Sequence, residues 1–371
     1  MSTPNSSPNR LAWRRFRRHV PGMLGLGYVI MCMIVGLCGY LLAPDNSTHA
    51  NFQVLELAKQ APGTEASVLL LPQPMDQDRN WLEIFFSGDV PPGIPIALDP
   101  ASELELTSSW VKFTRISGVS DSLALSKFGV EDPNITEADF EGQFVIHRTF
   151  WLGTDSYGRD LLSRIMLGTR VSLTVGLMSV LISLCIGILM GTMAGYFGGW
   201  VDRIIMWLVS VLWSIPTLLM ALALAAVLGR GFWQLFVAIG ISMWVEVARL
   251  VRGQILATRE QPYVEAAQSL GYSSGRIMWR HILPNVFNPI IVIAVANFGA
   301  AVLIESGLSF LGLGVEVPIP TWGRMVNEGY TYLVFEAGQW LAIYPGLALV
   351  LLIVSVNLVG IGLRDAFDLK N

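Results

Sequence analysis

Ser309 stands in Gly307-Leu308-Ser309-Phe310, the G-x-S-x spacing that a serine nucleophile inside a membrane would use. That chemistry needs a histidine base within hydrogen-bond reach in a span. The four histidines, His19, His49, His147 and His281, all lie outside the apolar runs, so the serine has no base. No H-E-x-x-H occurs, and no Cys/His group has metal-ligand spacing. No G-x-x-x-x-G-K-[S/T] occurs either, so the chain lacks the backbone nest that cradles a nucleoside triphosphate. If ATP drives this protein, another subunit binds it. Gradient-driven transporters commonly keep ionisable residues at mid-membrane. Here Glu246 and Glu305 are expected at span ends, which disfavours coupling to protons or sodium. The expectation is therefore no catalytic, cofactor or metal residue, and a pathway whose energy comes from outside the spans.

The elements around these residues are set by composition. The chain has 371 residues, a mean hydropathy of +0.54, 53% hydrophobic and 14% charged residues, as expected of an integral membrane protein. Val20 to Pro44, Val171 to Gly195 and Ile204 to Leu228 are charge-free runs of 25 residues each, and Ala337 to Leu363 is one of 27. A bilayer core needs about 20 helical residues. Gly231 to Val245 and Val286 to Ile304 are shorter but plausible as tilted or flanked spans, which makes six. Cys32, Cys38 and Cys185 fall in these runs and read as packing residues. The N-terminal "WRRFRRHV" precedes a run too long for a signal peptide, so an uncleaved anchor is expected. With the N-terminus inside, short inner segments carry Arg10, Arg14, Arg15, Arg17, Arg18, Arg203, Arg249, Arg252, Arg259, Arg276, Arg280, Arg364 and Lys370, against Arg230 and Arg324 in short outer loops. The positive-inside bias then places both termini in the cytoplasm.

Between the first two spans, Pro44 to His147 holds 16 acidic residues against 5 Lys and Arg. Such an asymmetry marks a separate extracytoplasmic domain. Its runs "ASVLLLP", "WLEIFF", "IPIAL" and "ELELTSSWVKFTRI", divided by Pro, Gly, Asp and Asn, read as short strands of a β-rich insert. The following "LGTDSYGRDLLSRIMLGTR" reads as an interfacial amphipathic helix capped by Asp155, with Leu161, Leu162, Ile165 and Met166 on one face and Arg159, Asp160, Ser163 and Arg164 elsewhere. In the second span Ser179, Ser183, Gly187, Gly191 and Gly195 recur every four residues, a small-residue stripe for close helix packing. Pro216 and Pro289 imply kinks or helix starts.

One polar stretch interrupts the apolar pattern, "EAAQSLGYSSGRIMWRHILPN" at 265–285. Pro262 suits the first helical position, and Glu265 then falls in the first turn, where a negative charge meets the helix dipole. Val264, Ala267 and Leu270 form one small apolar face, and Gly271 ends the helix after about nine residues. Ser273 or Ser274 can cap a second helix through Ile277, Met278 and Trp279, with Pro284 marking the turn toward the fifth span. A free helix this short is marginal in water, so something must hold it.

These residues resemble the membrane subunits of binding-protein-dependent ATP-binding-cassette importers. The signature there is E-A-A, three residues, G, nine residues, I-x-L-P, and Glu265, Ala266, Ala267, Gly271, Leu283 and Pro284 match it in register. His281 replaces the signature Ile, and "RHILPN", "LGTDSYGRD" and "ESGLSFLGLG" look like the dipeptide, oligopeptide and nickel branch. The resemblance covers roughly residues 148 to 364 and implies an all-α polytopic fold of the type I importer permease, six spans with the β-rich insert between the first two. The resulting division is a basic N-terminus 1–19, span 20–44, insert 45–147, approach helix 148–170, permease core 171–364 with a coupling helix at 262–272, and tail 365–371. The long insert departs from the family, whose loop at that position is usually short.

The resemblance implies that Glu265, Ala266, Ala267 and Gly271, with His281, Leu283 and Pro284, couple the chain to an ATPase. Glu265 alone is also explained locally as a first-turn acid. The implied partners are a homologous second permease subunit, two ATPase subunits holding ATP and Mg, an extracytoplasmic solute-binding protein and the bilayer, with no nucleic acid and no cofactor in this chain. Asn297, Ser306 and Asn357 are polar candidates for the pathway, and each is better explained by an interhelical hydrogen bond. The expected cargo is a di- or oligopeptide. The rivals are a nickel chelate, glutathione or another small solute, and, in a different class, an ATPase-independent channel or scaffold.

Overall fold

The structure, a computed structural model, describes residues 8–73, 80–91, 93–102, 104–130, 135–334 and 338–367. The end of the expected tail, including Lys370, lies outside the described residues. The N-terminal part runs α1 (Pro8–Arg18), α2 (Val20–Leu37), α3 (Gly39–Leu42), β1 (Thr64–Pro72), α4 (Trp81–Ser87), β2 (Gly93–Ala97), β3 (Glu105–Thr107), β4 (Trp110–Thr114), β5 (Ser120–Ala124), α5 (Glu137–Phe144) and β6 (Val145–Phe150). Then follow α6 (Leu161–Phe197), α7 (Gly199–Trp213), α8 (Thr217–Leu228), α9 (Phe232–Arg259), α10 (Pro262–Ser269), α11 (Ser274–Arg276), α12 (Phe287–Phe310), α13 (Trp322–Tyr330) and α14 (Trp340–Phe367). A π turn over Ile277–Ile282 and a 3-10 turn over Leu283–Val286 join α11 to α12. The chain divides into two compact units, one of Met1–Met33, Val171–Glu316 and Ala348–Asn371, the other of Ile34–Arg170 and Val317–Leu347.

Among the described residues, five helices are long and apolar enough to cross a membrane, and α7 with α8 makes a sixth crossing if that bent pair counts as one. The pair bends by 91°. The expected single span over 204–228 is thus a sharply broken one, because Pro216 has no N–H to donate and its ring clashes with a continuing turn. In the first unit, α9 lies along the small-residue stripe of α6. A Cβ on Gly187 would meet Val247 at 2.5 Å, one on Gly191 the Ala248 carbonyl at 2.5 Å, and one on Gly195 the Ile255 side chain at 2.8 Å. Ser179 donates to the Phe236 carbonyl at 3.2 Å. Backbone approach this close supplies packing where lipid provides no hydrophobic drive between helices.

In the second unit the insert holds two antiparallel three-stranded sheets, ordered β2-β1-β6 and β3-β4-β5. Val111, Phe113, Leu125, Phe128 and Phe140 form a core with Leu69 of β1. Arg115 ties three segments together. It donates to Glu56 and to Asp121, each at 2.9 Å, while Glu56 accepts the Ala97 amide at 2.7 Å. The expected strand "WLEIFF" is the helix α4, since a short apolar run with a single polar residue does not show its period. Cys38 sits at the break between α2 and α3, just past the first span.

Candidate coupling site and buried polar clusters

The apolar positions of α10 face inward only in part. Val264 and Ala267 are buried against Val247, Val251 and Ile255 of α9 and against Ile277, Ile282 and Val286 beyond α10. Leu270, expected on that face, is instead 71% exposed, because α10 stops at Ser269 and the chain turns away there. Gly271 takes φ +74°, a left-handed conformation that ends helices at little cost only in glycine. The Tyr272 amide then donates back to the Ala267 carbonyl at 3.2 Å, and the Leu270 amide to that of Ala266 at 3.0 Å. Glu265 and Ala266 are exposed. Tyr263, Leu270, Tyr272 and Trp279 are also exposed in this region.

The remaining signature residues brace this turn. Tyr272 stacks on His281 with ring centres 5.7 Å apart, and Arg276 lies over the Tyr272 ring at 5.2 Å. Asn285 donates to the His281 carbonyl at 2.6 Å. The expected turn at Pro284 is absent, for the chain stays helical from Ser274 to Phe310 by passing through the π and 3-10 turns. Such turns re-pair the backbone where Pro284 lacks a donor. Ser273 occupies the cap of α11 without a side-chain cap bond. Leu283 is half-buried against the core that seats α10, and Pro284 is exposed.

Two polar arrangements in the first unit were not read from the sequence. Arg252 of α9 pairs side-on with Asp202 of α7 through contacts of 2.5 and 2.6 Å, tying the helix that leads into α10 to the one entering the broken pair. Glu305 is fully buried in α12, and Glu246 lies midway along α9. Neither marks a helix end, because α9 and α12 run past the charge-free runs. Glu305 accepts from Ser309 at 2.7 Å, from Ser306 at 3.3 Å and from Ser172 of α6 at 3.4 Å, so its buried carboxyl is satisfied by hydroxyls. Of the pathway candidates, Ser306 belongs to this cluster, Asn297 is buried with no partner for its side-chain nitrogen among the described residues, and Asn357 is exposed.

In the second unit, 148–170 is not an amphipathic interfacial helix. β6 runs to Phe150, turns occupy 151–158, and α6 continues unbroken from Leu161. Arg159 and Arg164, only 2% and 1% exposed, share the carboxylate of Asp155 at 2.6 and 3.4 Å, and Arg159 reaches Glu328 of α13 at 3.4 Å. Asp155 therefore caps no helix; its other oxygen accepts the amides of Tyr157 and Arg159. Trp322 of α13 is buried and donates to the Ile165 carbonyl of α6 at 2.9 Å. The motif "TDSYGRD" thus reads as a buried ionic clasp. A buried arginine pair persists only when its charges are paired.

Residues 187–370 match the family of binding-protein-dependent transport system inner membrane components, and residues 7–62 match the N-terminal transmembrane domain of oligopeptide transport permease C. The glutathione transport system permease protein GsiD of Pectobacterium atrosepticum is 44% identical over 220 residues, covering 59% of this chain and 72% of that one. The chain belongs to the binding-protein-dependent transport system inner membrane components. The dipeptide transport system permease protein DppC of Alkalihalophilus pseudofirmus is 39% identical over the same shares. An inward-facing methionine ABC transporter overlaps 56% of this chain and 97% of its own with a TM-score of 0.46 and 17% identity. The protein is a multi-pass inner-membrane permease subunit of an ABC importer, and its α-helical spans carry a small β insert.

Proposed function

We propose that this permease is one of two homologous membrane subunits of an importer of di- and oligopeptides, with both termini cytoplasmic. Two separate ATPase subunits bind ATP and Mg, an extracytoplasmic binding protein delivers the solute, and this chain breaks no bond. The observation that carries the reading is α10: Val264 and Ala267 seat it on α9 and the turns before α12, while Glu265, Ala266 and Leu270 stay exposed. A short helix held on one face by the spans and open on the other passes a push from a soluble partner into α9 and α12. The arginine of the Asp202–Arg252 pair carries the same displacement from α9 toward α7.

Peptide cargo is supported by the names of the relatives, one a dipeptide permease and the other a glutathione permease. Glutathione is itself a tripeptide, so the second reading differs in selectivity and not in mechanism. Uptake by the reconstituted importer with its own binding protein distinguishes them. Labelled di- and tripeptides of ordinary linkage should enter and be displaced by one another. Entry of glutathione alone, undisturbed by ordinary peptides, would replace the first reading with the second.

A further inference from the structure

The basic N-terminal helix and the groove beside it have no part in the coupling just described. α1 is Pro-Asn-Arg-Leu-Ala-Trp-Arg-Arg-Phe-Arg-Arg, with five arginines and no acidic residue. Phe16 fixes it in place: this ring is 2% exposed and lies where a Cβ on Gly362 of α14 would stand 2.9 Å from it, or one on Gly22 of α2 3.2 Å. His19 adds a 3.7 Å contact to Asp365 near the end of α14. Beside this seat opens a cavity of about 220 Å³, walled by Trp13 and Phe16 of α1, Phe287 and Ile291 of α12, and Leu363 and Phe367 of α14. Apart from Asn288 its lining is apolar, and the Arg17 guanidinium lies over the ring of Trp13, one of its walls, at 5.2 Å. Arg10, Arg14 and Arg17 follow one another at helical spacing beside the Trp13–Phe16 row and are exposed.

We propose that α1, the first turn of α12 and the last turns of α14 bind one anionic phospholipid, an acyl chain in the cavity and the phosphate on Arg17 and Arg14. An apolar groove at the end of spanning helices opens onto acyl chains, and arginines at its mouth sit at headgroup depth, where they draw anionic lipid. Charge selects the occupant. A zwitterionic lipid fills the groove equally well and gains little from a helix that carries five arginines and no acidic residue of its own. The site is independent of which ATPase or cargo the permease serves.

The full chain, purified with its co-expressed subunits in mild detergent, is titrated with phosphatidylglycerol and with phosphatidylcholine of the same chains, and bound lipid is read by native mass spectrometry. Phosphatidylglycerol should bind on the order of tenfold more tightly. Arg14→Gln with Arg17→Gln should abolish the preference while leaving weak binding of both lipids. Ile291→Trp, which fills the cavity with all five arginines intact, should lower occupancy by both; Leu363→Phe is the milder filler if that variant does not assemble. Equal binding of the two lipids by the wild type overturns the proposal. So does unchanged phosphatidylglycerol binding in an assembled cavity-filled variant, which would leave only surface attraction to a basic helix, or a polypeptide found cross-linked in the groove.

Discussion

Gly271 at φ +74° has no heavy atom within 4 Å of where a Cβ would stand, so its requirement is conformational and not steric. A left-handed residue other than glycine costs about 1–2 kcal/mol, and asparagine tolerates that region best. Gly271→Asn should keep most of the uptake, whereas Gly271→Val should reduce it while the protein still reaches the membrane, both read by transport in cells against the amount of inserted chain. Equal uptake by the valine variant would mean that the turn does not set the pose of α10. Leu270 teaches the complementary lesson. It sits at the helical spacing of Val264 and Ala267 yet points outward, because periodicity assigns faces only while the helix continues. Tyr263 and Trp279 are exposed as well, and large side chains of this kind anchor protein interfaces.

At the scale of elements, the two sheets of the insert are held partly by the Arg115 pairs. The guanidinium hydrogen-bonded to it holds the Asp121 carboxyl below its ordinary value, and hydrogen bonds to Asp121 and Glu56 push Arg115 up. A carboxyl depressed in the folded state contributes stability above its unfolded pKa of about 3.9 and loses it as the pH falls through the lower folded value. Amide hydrogen exchange of β4 and β5 should therefore speed up as the pH drops below about 4, after correction for intrinsic rates, and Arg115→Leu should flatten that dependence. The same profile in both proteins would remove the pair from the account. The α6–α9 stripe was legible in advance because small residues every four positions have one structural use in lipid. The buried clasp was not, since "TDSYGRDLLSR" has the charge pattern of a solvated helix face and only α13, distant in sequence, supplies Glu328 and Trp322 to bury it. The run at 81–86 misled for a third reason: five apolar or aromatic residues around one glutamate fit a strand or a helix equally.

At the scale of the whole molecule, the number of spans and the family were open to reading because membrane length and an interrupted apolar pattern are sequence properties. Pro216 marked a kink in the third crossing but not its 91° bend, and the unbroken helix through Pro284 was not legible, since proline breaks a span only where neighbours fail to re-satisfy the backbone. The central claim joins these scales: the spans hold α10 by its buried face so that its exposed face can meet an ATPase. Leu270→Asp places a charge on that exposed face and leaves the buried Val264 and Ala267 in place. The direct measurement is the quantity of ATP-hydrolysing subunit recovered with tagged full-length permease in mild detergent, wild type against this variant, at equal permease. The account predicts stoichiometric recovery with the wild type and a loss of about tenfold or more with Leu270→Asp, the scale of one interface anchor. Equal recovery with both, or no ATPase with the wild type, would contradict it.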